Sequence, residues 1–91
     1  MGERLRTVVR TALGLTAREA AALSDQDSVY TIPRWDSLGH VRLMAALEQE
    51  YRVSIPDAET IRLITISALT QFVKDHEAAE PGAGRLERRA A

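Results

Sequence analysis

Apolar residues in this chain recur at spacings of three and four, in blocks separated by polar or proline-bearing segments. That pattern favours packed helices over a sheet. Leu5, Val8, Val9 and Leu13 give one face of a helix over Glu3–Leu13, with Gly14 as its stop. Thr16 and Glu19 have the form of a capping box leading into Ala20–Leu23, a short helix. Residues 24–34 read as a long loop in which Val29, Tyr30 and Ile32 pin the chain to the core. The strongest element spans Ser37–Tyr51, with Asp36 or Ser37 as its cap. Its stripe takes Leu38, Val41, Met44 or Ala45, Leu47 or Glu48, and Tyr51, and Arg42, Glu48, Gln49 and Glu50 form its polar side. Val53-Ser54-Ile55-Pro56 alternates like an extended segment, and Pro56 blocks simple helix continuation. Asp57–Thr60 suits a short helical turn capped by Asp57. A last helix starts near Thr65 or Ser67, carries Ile66, Leu69, Phe72 and Val73 inward, and ends within 78–84. The periodicity therefore predicts three substantial helices, one or two short ones and no convincing sheet.

At 91 residues the chain suits one domain. A domain of this size hides only about 60–65% of its unfolded surface, so its core is small and a large enclosed active site is disfavoured. There is no cysteine, hence no disulfide, thiolate metal site or thiol nucleophile, and His40 and His76 are the two histidines. These limits argue against a self-sufficient enzyme. No stretch is long and apolar enough to span a membrane, and the basic, amphipathic start reads as a first helix. The expected location is the cytoplasm. Charge is uneven: residues 1–18 are basic, while 35–60 set Asp36, Glu48, Glu50, Asp57 and Glu59 against Arg42 and Arg52, a net −3. An acidic middle disfavours nucleic acid and suits a basic protein partner or an ordinary solvated face.

Several features meet at Arg34-Trp35-Asp36-Ser37-Leu38-Gly39-His40, where the loop runs into the strongest helix. Ser37 can be an N-cap, Trp35 a hydrophobic staple or core anchor, and Gly39 a neutral choice or room for a bulky group attached nearby. Ser37, His40 and Asp36 lie within five positions at a helix start, but a serine hydrolase needs a guarded pocket with an oxyanion hole, and the G-x-S-x-G elbow is absent. A catalytic serine is not expected.

The run from Asp36-Ser37-Leu38-Gly39-His40 through Leu47-Glu48-Gln49-Glu50-Tyr51, followed by Val53-Ser54-Ile55-Pro56-Asp57-Ala58-Glu59, resembles the signature of acyl carrier proteins. Ile64-Thr65-Ile66-Ser67-Ala68-Leu69 resembles the start of that family's last helix. The match runs without a gap from Asp36 to about Val73; the first third matches only as an amphipathic helix and a long loop.

The resemblance implies an all-α four-helix bundle with a long first loop and a short third helix. Its core would collect Leu5, Val8, Val9, Leu13, Leu23, Leu38, Val41, Leu47, Tyr51, Val53, Ile55, Ile61, Ile64, Ile66, Leu69, Phe72 and Val73. It places the domain at 1–78 with a flexible tail at 79–91. Ser37 would receive 4′-phosphopantetheine from coenzyme A, whose thiol carries acyl or aminoacyl groups as thioesters. Asp36, Leu38 and Arg34 would serve that attachment. Trp35, Gly39, His40, Val41, Met44, Glu48, Glu50, Asp57 and Glu59 would contact partners, with Val41 and Met44 also open to core or cavity roles. The implied partners are a phosphopantetheinyl transferase, a loading enzyme and downstream synthase or tailoring enzymes, met by a monomeric carrier that is not itself a catalyst. Arg34 and Trp35 stand where the fatty-acid type has small residues, and His40 where a small or acidic one is usual. These departures look more like stand-alone carriers of polyketide, nonribosomal peptide or aminoacyl pathways. The alternative is an unmodified helical adaptor that docks through Trp35 and the apolar second helix.

Overall fold

A computed structural model describes residues 1–80, with side chains to His76. Five helices follow in order: α1 (Glu3–Leu13), α2 (Ala17–Ala21), α3 (Ser37–Tyr51), α4 (Asp57–Thr60) and α5 (Ile66–Glu80). The fold is an all-α bundle in which α1 and α5 pack on α3, and α2 sits within the long connection. Among the described residues the only strand-like pairing is an isolated bridge between Ser28 and Thr65.

The first helix buries Leu5, Val8, Val9 and Leu13 as its spacing predicts. It stops at Gly14, whose φ of 68° and ψ of 37° are left-handed and cost a glycine little. The Leu15 N–H then donates back to the Arg10 carbonyl at 2.9 Å, and Leu15 itself is buried. The capping box of α2 is formed: the Glu19 N–H donates to Thr16 Oγ1 at 3.0 Å and the Thr16 N–H to Glu19 Oε1 at 2.8 Å.

The long loop is tightly built. Asp27 accepts from the Ser24 N–H and the Thr31 hydroxyl, each at 2.9 Å. The Val29 N–H donates to the Ile64 carbonyl and the Ile66 N–H to the Asp27 carbonyl, which fastens the loop to the start of α5. Ile32 is buried and Val29 half-buried, as expected, but Tyr30 is 87% exposed and pins nothing.

The face of α3 departs most from expectation. Leu38 and Val41, assigned to the core from sequence, are 57% and 64% exposed, while Leu43 is fully buried with Met44, Leu47 and Tyr51. Before Glu48 the apolar residues of this helix fall on more than one face, so two stripes satisfy the same period: 38–41–45 and 39–43–47–51. Packing against α1 selects the second. Ile61 is likewise 72% exposed, and Leu63 takes the core place beside it. Val53 and Ile64 are half-buried rather than core. Trp35, Leu15, Ala20 and Ile32 join the core, which forms one cluster of aliphatic and aromatic side chains.

At the far end of α3, Arg52 adopts φ 55°, ψ 50°, the left-handed C-cap geometry that glycine usually takes. Pro56, not Asp57, is the N-cap residue of α4, and Asp57 makes no side-chain capping bond. The last helix begins at Ile66 behind Thr65, whose hydroxyl accepts from the Ala68 N–H at 3.0 Å. The proposed tail at 79–91 lies outside the described residues, save that α5 extends through Glu80.

Candidate functional site

The site is the start of α3. Asp36 is its N-cap, with Oδ1 accepting from the Gly39 N–H at 2.8 Å. The Asp36 carbonyl accepts from the His40 N–H at 2.8 Å. Of the two capping residues open in the sequence, the structure uses Asp36. Ser37 is therefore the first helical residue, exposed, and no hydrogen bond within the described residues engages its hydroxyl. The Ser37 and Leu38 N–H groups are among the donors at this end that the helix itself leaves unsatisfied, so the local field favours an anion beside the serine.

Three neighbours fix this start in place. Gly39 is buried, and a Cβ there would collide with the Arg34 carbonyl oxygen and press on Leu13 Cδ2 at 3.0 Å. Its lack of a side chain serves this close approach of loop and helix; it offers no surface to a partner and no space for an attached group. Arg34 reaches back through Nη1 to donate to the Gly14 carbonyl at 2.9 Å, so its guanidinium joins the loop to the end of α1. Trp35 is 2% exposed, a core anchor rather than a docking side chain.

His40 is engaged on both ring nitrogens. Trp35 Nε1–H donates to Nδ1 at 3.0 Å, and Nε2 lies 2.9 Å from the Thr60 carbonyl. The indole only donates and a carbonyl only accepts, so the tautomer with its proton on Nε2 is the one that satisfies both contacts.

The acidic residues divide by what they already hold. Glu48 Oε2 accepts from the Ile55 N–H at 2.7 Å and so supports the extended segment after α3. Glu50 is paired with Arg4 at 2.8 Å, and the Arg4 guanidinium also lies over the Tyr51 ring. Asp57 and Glu59 make no side-chain hydrogen bond within the described residues. The recognition face expected from Glu48, Glu50, Asp57 and Glu59 therefore rests on the last two, in α4. Beside them, Met44 is buried and Val41 exposed along an open cleft of about 380 Å³ between α3 and α4, which His40, Glu48, Ile55 and Thr60 also line. Leu38, Val41 and Ile61 form the exposed apolar surface of this region. Sequence reasoning missed Ile61 as a surface residue because an isoleucine grouped with the nearby Leu63, Ile64 and Ile66 reads as core.

An exposed serine with an uncommitted hydroxyl, at a helix start that favours an anion, suits a covalently attached phosphodiester. No helix among the described residues is long and apolar enough to cross a membrane. Comparison with known proteins supports the same chemistry. The model of the phosphopantetheine attachment site family matches residues 3–73. Acyl carrier proteins of Rickettsia canadensis (strain McKiel) and Rickettsia rickettsii (strain Iowa) are each 43% identical over 42 residues. That alignment covers 46% of this chain, and the chain spans about half the length of these relatives, 49%. No solved structure gives a significant match. With the family model covering α1 to the middle of α5, this chain belongs to the phosphopantetheine attachment site family, whose members are carriers bearing covalent 4′-phosphopantetheine.

Proposed function

We propose that Ser37 is the attachment residue and that the chain is an acyl or aminoacyl carrier. The observation that carries this reading is the capping of α3 by Asp36, which leaves an exposed, unengaged Ser37 hydroxyl at the helix start. In the attachment reaction the Ser37 oxygen forms a bond to phosphorus of coenzyme A. The phosphoanhydride bond breaks, adenosine 3′,5′-bisphosphate leaves, and the serine proton goes to a base of the transferase. The attached arm supplies the thiol that this cysteine-free chain lacks, and thioesters of acyl or aminoacyl groups form there.

The chain's own residues present and identify the arm. Asp36 sets the helix start, Trp35 and Gly39 hold it against the core, and Leu38, Val41 and Ile61 offer apolar contact to docking enzymes. Asp57 and Glu59 supply free carboxylates for basic groups on those enzymes. The partners on this reading are a phosphopantetheinyl transferase, a loading enzyme and the synthase or tailoring enzymes that follow. Trp35 and His40 favour a stand-alone carrier of a specialised pathway, since their paired side chains occupy positions where the fatty-acid type has small or acidic residues.

The test is to incubate the protein with coenzyme A, magnesium and a broad-specificity transferase and to weigh it. A gain of about 340 Da that disappears in Ser37→Ala is expected. No gain with several transferases overturns the reading and leaves an unmodified adaptor, docking through Leu38, Val41 and Ile61 but not through the buried Trp35.

A further inference from the structure

The helix α4 is four residues long and buries none of them. A helix this short has no stability of its own. Its backbone turns on the Pro56 carbonyl, which accepts from the Glu59 and Thr60 N–H groups, and the buried Ile55 and Leu63 moor the chain on either side. One side chain of α3 reaches directly to its last residue: His40, through Nε2 and the Thr60 carbonyl at 2.9 Å. The opposite ring nitrogen, Nδ1, accepts a hydrogen bond from the indole N–H of Trp35, which is 2% exposed and two residues before Ser37.

We propose that His40 is a positioning residue, tying α4 to the Trp35 anchor and so fixing the surface around Ser37 on which an enzyme must dock. The use of that surface rests on the carrier reading above; the tie itself does not. The imidazole fills a span between two fixed points, a buried donor and the end of α4, and only its Nε2–H form satisfies both. Were it removed, the indole N–H would lose its partner in a place with almost no water, and the Thr60 carbonyl would lose its link to α3. Val41 and Ile61 each lie one residue beyond the bonded pair, and both are largely exposed. The His40–Thr60 bond therefore ties together the two stretches of backbone that display these apolar side chains. A docking surface that meets both at once fits only while α4 is held.

The test uses the unmodified full chain first. Nitrogen-15 NMR of wild type is expected to show His40 with its proton on Nε2 and a Trp35 indole N–H that exchanges slowly. Three variants follow: His40→Ala, His40→Asn and His40→Gln. The longer glutamine amide can still donate to Thr60, whereas the asparagine amide reaches only toward Trp35. We expect His40→Asn and His40→Ala to speed amide exchange at Glu59, Thr60 and Arg62 by about tenfold or more, and His40→Gln to restore the wild-type rate. With a transferase, the KM for His40→Asn should rise about fivefold to tenfold while kcat stays within about twofold, and His40→Gln should recover it.

A wild-type His40 protonated on Nδ1, or a His40→Asn chain with wild-type exchange in α4 and an unchanged KM, overturns the proposal. If His40→Ala fails to fold, the asparagine and glutamine pair decides alone. If no transferase modifies the wild type, the carrier reading falls, and the tautomer and exchange measurements still decide the tie.

Discussion

Asp36 Oδ1 accepts the Gly39 N–H at 2.8 Å, and this bond makes the residue before the serine, not the serine, the cap of α3. Structure and chemistry are thereby divided between adjacent side chains. Asp36 holds the helix start, and Ser37 is left for reaction.

That division predicts opposite behaviour for two neighbouring alanine variants. Asp36→Ala should lose about 1 kcal/mol of stability, the usual cost of removing an N-cap. Ser37→Ala should change stability by less than about 0.5 kcal/mol, as exposed sites without special contacts do, yet abolish the mass gain with coenzyme A. Urea unfolding beside intact-mass measurement reads both. A Ser37→Ala loss as large as that of Asp36→Ala would mean that the hydroxyl has a structural duty.

Gly39→Ala tests whether close packing or helix propensity rules this turn. Alanine favours a helix interior by roughly 1 kcal/mol over glycine. Here its Cβ would run into the Arg34 carbonyl, with Leu13 Cδ2 3.0 Å away, and backbone cannot yield as a flexible side chain would. The variant should be destabilised by about 1–3 kcal/mol, the typical cost of overpacking. Equilibrium denaturation measures it, and a stabilised variant would refute the close approach.

Glu48 offers a separation of structural from recognition acids. Its carboxylate accepts the Ile55 N–H at 2.7 Å in a half-buried setting. Glu48→Ala should cost about 1–3 kcal/mol by orphaning that donor, and Glu48→Gln, which keeps an acceptor, much less. Asp57→Ala and Glu59→Ala should shift the melt little. On the carrier reading they should weaken docking to a basic partner, an effect read as a raised transferase KM and reduced by added salt.

Arg52 holds left-handed geometry at φ 55° without glycine's freedom. Arg52→Gly should remove strain of about 1 kcal/mol, partly offset by the greater entropy of glycine in the unfolded chain. A net gain of about 0.5 kcal/mol should raise Tm by roughly 2–4 °C in a domain of this size. Calorimetry checks the direction, and a lowered Tm would show that the arginine side chain outweighs its backbone strain.

Much of the fold was legible in local chemistry. Leu5, Val8, Val9 and Leu13 with Gly14 delimit α1, and Thr16 with Glu19 delimits α2, because a helix end is decided by donors and backbone freedom within a few residues. The stripe of Ile66, Leu69, Phe72 and Val73 was equally clear, since polar residues flank it. Leu38, Val41 and Ile61 misled for the opposite reason. In an apolar surrounding, period alone does not say which of two faces another helix will cover.

The motif around Asp36-Ser37-Leu38 drew attention to this site without reference to folding, because it is a contiguous run of residues. The sequence by itself also determined helical class, the small core and the absence of a thiol. Only the tertiary structure decided that Trp35 and Gly39 serve the interior, that Glu48 and Glu50 are already engaged, and that His40 joins the serine's neighbourhood to α4. Each of these depends on a group from elsewhere in the chain: the Arg34 carbonyl, the Ile55 N–H, the Arg4 guanidinium, the Thr60 carbonyl. Spacing along the chain encodes which residues share a helix face, but the partner across a packed interface is set by how the helices settle against one another.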